Sequence, residues 1–186
     1  MEDTTPKMRM YTFVPYNISD KQKGIQSWHV AQKYDERYKD NEKTWDFIRN
    51  HMTGIMLDGG TTNNSQDPER RGTLNVIMDQ LDANGIEHSR FYEPDLNDAL
   101  TAVAFLADDR VFDFETYPDF YDWILEVKMN PEYKYAMDLK NPQIRRWDYT
   151  QFKMAFPEYY DQWVEEVMGG VKNTFLRELT KGKKLA

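Results

Sequence analysis

Two lysines, a glutamine and a histidine fall in one short segment near the start of the chain, and their side chains could do chemistry there. Lys21 and Lys23 lie at the predicted start of a helix, where the first backbone N–H groups have no partner within the helix. Such N–H groups and two ammonium groups together suit a phosphate or a carboxylate. His29, on the same segment, could move a proton near neutral pH. A helical histidine is more often a packing residue, and both roles stay open.

Two further polar segments follow predicted strands. In the segment 58–61, Gly59 and Gly60 allow the backbone to approach a ligand closely, or they form a mobile loop. In the segment 93–97, Glu93 and Asp95 could act as a general base pair if burial raised the pKa of one of them. An exposed acidic turn is the other interpretation of this second segment.

Hydrophobic pattern and turn chemistry predict the elements that position these residues. Ser19 and Gln22 have the spacing of a capping box at the start of a helix. Pro68 is typical of a first helical turn, and Gly85 is typical of a helix end. The predicted strands are residues 9–16, 54–58, 86–92 and 100–107, and the predicted helices are residues 20–38, 42–52 and 67–84.

This βααβαββ order predicts an α/β fold of the three-layer type, with a mixed four-stranded sheet and an aromatic α-helical C-terminal extension. We place a disordered N-terminus at residues 1–7, the α/β domain at 8–110 and the extension at 111–186. The extension holds 16 of the 27 aromatic residues. Its last residues, 181–186, are basic and are expected to form a frayed tail. Residues 117–123 and 156–163 resemble each other, and both read as helix starts. Packing of their aromatic rings is favoured over a stacking platform for nucleobases.

Ligands in open α/β sheets gather outside the carboxyl ends of parallel strands. The three polar segments should therefore meet at one edge of the sheet and form a small polar cleft. The expected ligand-binding residues are Asn17, Ser19, Lys21, Lys23, Gln26, Asp58, Gly59, Gly60, Thr61, Glu93, Asp95 and Asn97.

Composition excludes several classes of function. The formal net charge of -8 disfavours broad binding to a phosphate backbone, although a local anion pocket stays open. The absence of cysteine excludes disulfides, thiolate zinc sites and thiol nucleophiles. No apolar run approaches the roughly 20 residues of a membrane span, and the N-terminus lacks a signal pattern, so the expected location is the cytoplasm. We expect no metal and no cofactor.

Residues 21–31 carry lysines followed by Gln26 and, three positions later, His29. This segment resembles the first helix of the type II peptidyl-tRNA hydrolases. The element order is similar to that family, and residues 93–104 lie where the family has its aspartate and threonine motif. Residues 8–108 resemble small bacteriophage proteins of this superfamily more closely, through Asn17-Ile18-Ser19, the glycine pair and Glu93-Pro94-Asp95-Leu96 with Thr101-Ala102.

The resemblance implies two functions. Gln22 stands at the position of the family's catalytic lysine, Glu93 aligns with its aspartate, and Asn97 aligns with its threonine, with Thr101 a few residues further on. A phage-type protein in the host cytoplasm would then bind a small anionic ligand, such as a nucleotide or a nucleotide-derived signal, or dock a host protein, without turnover. Alternatively, the chain is a peptidyl-tRNA hydrolase that binds tRNA. A homodimer is a further expectation. The catalytic residues of the hydrolase would be Lys21, Lys23, His29 and Glu93, and its basic rim would be Lys21, Lys23, Arg70 and Arg71.

Overall fold

The computed structural model describes residues 7–124 and 149–186. The chain forms two compact units. One contains the residues up to Asp109 together with Glu178–Ala186, and the other is Arg110–Arg177. Of the predicted disordered N-terminus, only Lys7 lies among the described residues.

The first unit is an α/β structure that confirms the predicted mixed four-stranded sheet. Its strands are β1 (Met8–Pro15), β2 (Thr53–Gly60), β3 (His88–Glu93) and β4 (Ala99–Asp108). The strand order is β2-β1-β4-β3. β1 pairs in parallel with β2 and antiparallel with β4, and β4 also pairs antiparallel with β3. The central strands are almost wholly buried, as expected for strands covered on both faces.

Three helical stretches complete the predicted order. They are α1 (Asp20–Arg37), α2 (Glu42–Asp46) with the π-helical segment Phe47–His51 directly after it, and α3 (Thr73–Ala83). The capping box is confirmed at the start of α1, where Ser19 and Gln22 bond each other's backbone N–H groups. Gly85 follows α3 with φ 60°, a left-handed conformation that glycine adopts without strain.

The sheet lies between α1 and α3. Successive residues of a strand point to opposite faces. Met10 and Val14 of β1 belong to one buried cluster with Val30 of α1. Phe13 points the other way and lies near Leu74, the first buried residue of the α3 stripe. The predicted face of α3 is confirmed, and its apolar residues are all buried: Leu74, Ile77, Met78 and Leu81.

Two local predictions between β2 and α3 are wrong. The segment starting at Asp67 forms a turn instead of a helix, because the Asp67 carbonyl accepts the N–H groups of both Arg70 and Arg71. The carboxylate of Asp67 also accepts the N–H of Glu69, and α3 begins only at Thr73. The glycine pair 59–60, predicted as part of a loop, forms the end of β2.

The prediction of a frayed basic C-terminus is also wrong. Leu185 forms an antiparallel bridge with Leu57 on the outer side of β2. The Asp58 N–H donates to the Lys184 carbonyl at 2.9 Å, and the Ala186 N–H donates to the Met56 carbonyl at 3.1 Å. An edge strand has unpaired backbone groups, and the C-terminal residues satisfy some of those on β2.

The segments after β4 are helical, as predicted. They include α4 (Asp109–Phe112), α5 (Phe120–Trp123), α6 (Tyr149–Ala155), α7 (Pro157–Glu166) and α8 (Val171–Thr180). The rest of the predicted extension, residues 125–148, lies outside the described residues. The buried members of its apolar cluster are Phe120, Trp123, Ile124, Trp163, Val164 and Met168. This burial supports the packing interpretation of the aromatic residues, because a buried ring has no face left for a nucleobase.

Replacement of Gly59 by alanine tests the packing between β2 and α3. A Cβ at this position would lie 2.8 Å from Leu74 Cδ1, 3.1 Å from the Val14 carbonyl oxygen and 3.3 Å from Phe13 Cβ. We expect Gly59→Ala to lower the free energy of unfolding by about 1–3 kcal/mol, measured by urea denaturation.

Gly54→Ala in the same strand is the matched control, because a Cβ there meets no atom within 4 Å. Equal stability of the two variants would contradict this packing.

Candidate functional site

The carboxyl ends of three strands lie at one edge of the sheet. β1 and β2 are parallel, and β4 is antiparallel to both β1 and β3, so β3 runs in the same direction as β1. β1 ends at Pro15, β2 at Gly60 and β3 at Glu93. The polar segments that follow these strands in the sequence therefore share this edge.

The strand order separates the polar segments into two groups. β2 and β3 are the outermost strands, three strand spacings apart, which is about 14 Å at the usual spacing in sheets. The structure accordingly brings some of the predicted residues together beside β3 and others beside β2.

The group beside β3 consists of Gln26, Glu93 and Thr101, which we call the polar trio. Gln26 is buried in α1. Its Nε2 donates to Glu93 Oε2 at 2.6 Å, and its Oε1 accepts from the Thr101 hydroxyl at 2.8 Å. The amide is thus used at both ends, with its N–H on the carboxylate and its carbonyl on the hydroxyl. One helix, the end of β3 and the start of β4 are joined by these two bonds.

Thr101 was not among the predicted site residues, which included Asn97 instead. Asn97 is exposed and has φ 52° after the 3-10 turn Pro94–Leu96. Thr101 is 1% exposed within β4. A polar residue inside an apolar strand must find a hydrogen-bond partner when it is buried, and this rule could have drawn attention to Thr101.

His29 lies on α1 against β3, and its ring stacks on Phe91. The two ring centroids are 4.7 Å apart and the planes differ by 14°. The ammonium of Lys33 lies 4.9 Å from the centre of the same Phe91 ring. This environment matches the packing role of His29, since the imidazole face is covered by an aromatic ring.

Several polar groups at the start of α1 bond to one another. The Ser19 hydroxyl accepts the Gln22 N–H at 3.3 Å, and the Gln22 side chain accepts the Ser19 N–H at 3.1 Å. Lys23 Nζ lies 3.3 Å from the carboxylate of Asp20. Gln22 therefore acts as a cap, and Lys23 has an acidic partner. The other predicted residues at this edge are exposed: Asn17, Lys21 and Asp95.

The group beside β2 surrounds a cavity of about 260 Å³, which we call the edge cavity. It combines three predicted residues of β2 with residues from the start of α3 and from the C-terminus. Its lining residues are Asp58, Gly59, Gly60, Thr73, Gly182, Lys183 and Lys184. The two lysines give this cavity a concentration of positive charge that the sequence did not predict there, because the C-terminal residues were expected to be frayed.

Backbone geometry at the end of β2 shapes the edge cavity. Gly60 has φ 78°, and a Cβ there would collide with the Thr73 hydroxyl, so glycine is required on both counts. The Asp58 carboxylate accepts the Gly60 N–H at 2.7 Å. The ammonium of Lys183 lies 6.0 Å from the centre of the Phe13 ring, at the limit of a cation–π contact.

The polar residues after Gly60 bond within the protein. The Thr61 N–H donates to the Thr73 hydroxyl at 2.7 Å, and the Asn63 N–H donates to the side chain of the buried Asn75 at 2.9 Å. Asn75 also donates to the Asn64 side chain at 2.6 Å. Thr61 was expected to bind a ligand, and the structure uses it and its neighbours to hold the connection to α3.

Most cations of the predicted basic rim are paired with acids. Arg71 donates to Asp79, with Nη2 and Oδ1 2.8 Å apart, and this hydrogen bond raises the pKa of the guanidinium. Arg70 Nε lies 3.5 Å from an oxygen of Asp67. Together with the Lys23 ion pair, these contacts reduce the positive field that an RNA backbone would meet.

Comparison with known proteins adds no assignment to this geometry. A scan against protein-family models found no match, and a search of the curated proteins found none either.

Within residues 7–124 and 149–186, no group of three or more histidines and acids could hold a metal ion. No helix in this part of the chain has the length and apolar character that crossing a membrane requires.

Replacement of Gln26 by leucine tests the polar trio. The change leaves the Glu93 carboxylate and the buried Thr101 hydroxyl without their shared partner, so we expect the free energy of unfolding to fall by about 1–3 kcal/mol. Urea denaturation measures this loss.

Gln32→Leu is the matched control, because Gln32 lies on the same helix and is exposed. If Gln26→Leu is no less stable than Gln32→Leu, the trio does not hold α1 to the sheet.

Proposed function

We propose that this chain binds a small phosphate-bearing ligand, a nucleotide or a nucleotide-derived signal, at the edge cavity and does not turn it over. The observation that carries this proposal is the meeting of Lys183 and Lys184 with the end of β2 around one cavity. The cavity lies at the carboxyl ends of the parallel pair β1 and β2, where α/β sheets usually hold ligands.

The chemistry of the lining suits such a ligand. Two ammonium groups can neutralise phosphate oxygens as point charges. Gly59 and Gly60 present backbone without a side chain, and Asp58 supplies a carboxylate, which is an acceptor for ribose hydroxyls. The cavity volume of about 260 Å³ lies just below the usual range for ligand pockets, so it accommodates part of a nucleotide, with the base outside.

Loss of turnover is supported by the start of α1. In the hydrolase family that the chain resembles, the catalytic lysine lies four residues before the glutamine. Here Gln22 stands at that position, and it caps the helix. Of its two neighbours, Lys23 is paired with Asp20, and Lys21 is exposed. A hydrolase needs donors or cations fixed where negative charge develops, and neither lysine forms a described contact with the polar trio.

The finer fold assignment belongs to the same proposal. A type II peptidyl-tRNA hydrolase-like fold is supported by the βααβαββ order and by the contact of Gln26 with Glu93 and Thr101. On this fold, a phage-type protein that sequesters a host nucleotide in the host cytoplasm would need binding alone. Docking of a host protein is less supported, because Phe120 and Trp163 are buried.

The alternative function is peptidyl-tRNA hydrolysis, and the polar trio is the observation that favours it. A buried glutamine that orients a carboxylate and a threonine hydroxyl resembles the arrangement that the family's motif implies. The formal net charge of -8 and the paired arginines at Arg70 and Arg71 argue against tRNA docking.

Binding at the edge cavity is tested by calorimetry with a panel of nucleoside mono-, di- and triphosphates and cyclic dinucleotides. We expect at least one of them to bind, and Lys183→Gln with Lys184→Gln to weaken binding about tenfold or more, as loss of charge-assisted hydrogen bonds implies. Bound ligand should also raise the Tm.

Lys39→Gln is the control, because it removes one exposed charge elsewhere in the same unit. Equal weakening of binding by Lys39→Gln would show that the loss of affinity reflects the net charge of the protein and not the edge cavity. Failure of the whole panel to bind would contradict the proposal.

Turnover is tested by incubating the protein with peptidyl-tRNA and measuring the released peptide. We expect no release above background. Release that disappears in Gln26→Leu and in Lys21→Ala with Lys23→Ala, while the exposed-site variant Gln32→Leu keeps it, would establish the hydrolase instead.

A further inference from the structure

A second concave site lies on the α1 face of the sheet and shares no lining residue with the edge cavity. Its volume is about 450 Å³. β1 and β2 form its floor, α1 forms one wall, and the π-helical segment Phe47–His51 with Met52 closes the other side. We call it the α1 groove, and its lining residues are Met10, Thr12, Gly24, Ser27, Trp28, Ala31, Asp35, Phe47, Ile48, Met52, Gly54 and Met56.

Asp35 supplies the one carboxylate among the lining residues of this mostly apolar groove. Asp35 Oδ1 is buried and has no hydrogen-bond partner among the described residues. Burial raises the pKa of this carboxyl above its usual value, because the charged form loses hydration. A buried acceptor without a donor costs free energy. A ligand with an N–H donor would supply the missing partner.

Two glycines leave room in the groove. A Cβ at Gly24 or at Gly54 would meet no atom within 4 Å. Gly24 lies inside α1, where glycine costs about 1 kcal/mol relative to alanine, and neither packing nor a positive φ requires it. Gly54 lies inside β2, where glycine also weakens the strand. Both glycines therefore lower stability, and both keep the same groove open.

The groove also exposes large, polarizable side chains. Trp28 is 64% exposed and Met52 is 74% exposed, and both line the groove. Met52 has φ 49°, a conformation that costs a non-glycine residue energy. Deeper in the groove the hydroxyls of Thr12 and Ser27 are 2.6 Å apart. An indole, thioether sulfurs and a carboxylate together suit a flat ring that carries a positive charge.

We propose that the α1 groove is a binding site for a small aromatic amine, with the cationic nitrogen on Asp35 and the ring between Trp28 and Met52. The volume lies within the range of small-molecule pockets. The single carboxylate suits one positive charge, and the net charge of -8 attracts cations.

The experiment uses tryptamine, phenethylamine and benzamidine as cationic probes, with indole-3-propionate as an anionic compound of similar shape. Binding to the full chain is followed by calorimetry and by amide shifts in two-dimensional NMR. We expect the amines to bind at up to millimolar concentration and to shift the amides of Gly24, Trp28 and Gly54. Tryptamine should bind about tenfold or more tightly than indole-3-propionate, as expected for a favourable charge pair.

Two variants test the contacts separately. Asp35→Asn should weaken tryptamine binding about tenfold and raise the Tm of the free protein at neutral pH, because it removes a poorly hydrated charge. Its control is Glu36→Gln, an equal charge change at an exposed neighbour that does not line the groove. Gly54→Leu should abolish tryptamine binding and leave the fold intact, since its side chain enters open space.

Several results would overturn the proposal. They are the absence of amide shifts in the groove with all three amines, equal affinity for tryptamine and indole-3-propionate, and equal weakening by Glu36→Gln and Asp35→Asn. Unchanged tryptamine binding in folded Gly54→Leu would also overturn it. Lys183→Gln with Lys184→Gln should leave tryptamine binding unchanged, so the two sites succeed or fail independently.

Discussion

The hydrogen-bonded position of β1, between a parallel neighbour and an antiparallel one, is the constraint on which the rest of the structure depends. Because β2 runs with β1 and β4 runs against it, the carboxyl ends of β1, β2 and β3 all lie at one edge. The order β2-β1-β4-β3 also sets which polar groups meet. Glu93 at one side reaches Gln26 of α1, and Asp58 at the other side meets the C-terminal lysines.

The two sides of this edge differ in how their polar groups are satisfied. In the polar trio, Gln26 bonds to Glu93 and Thr101, so the trio joins α1 to two strands. Such a closed set of bonds holds its members in place. The edge cavity adds the ammonium groups of Lys183 and Lys184 to its internal hydrogen bonds, and the α1 groove has an acceptor without a donor. Both proposed ligand sites therefore lie where the protein leaves charged groups available.

The sequence predicted the elements well where one local rule decides the outcome. The capping box at Ser19, the apolar stripe of α3 and the stop at Gly85 depend only on neighbours in the chain, and all three are confirmed. The helix start predicted from Pro68 is wrong, because the Asp67 carbonyl closes a turn instead of starting a helix. The role of Thr101 depends on Gln26, far away in sequence, and burial alone could indicate that a partner exists. The edge cavity needs the return of the C-terminus to β2, which no local pattern indicates.

The pairing of the C-terminus with β2 links two properties of the molecule. Leu185 and the carbonyl of Lys184 protect an exposed strand, and the side chains of Lys183 and Lys184 line the cavity beside it. Any anion held by those ammonium groups would therefore hold the last residues against the sheet as well. Detachment of the same few residues would release the anion. It would also expose the unpaired backbone groups of β2, which can pair with another chain, so loss of the ligand and loss of solubility would occur together.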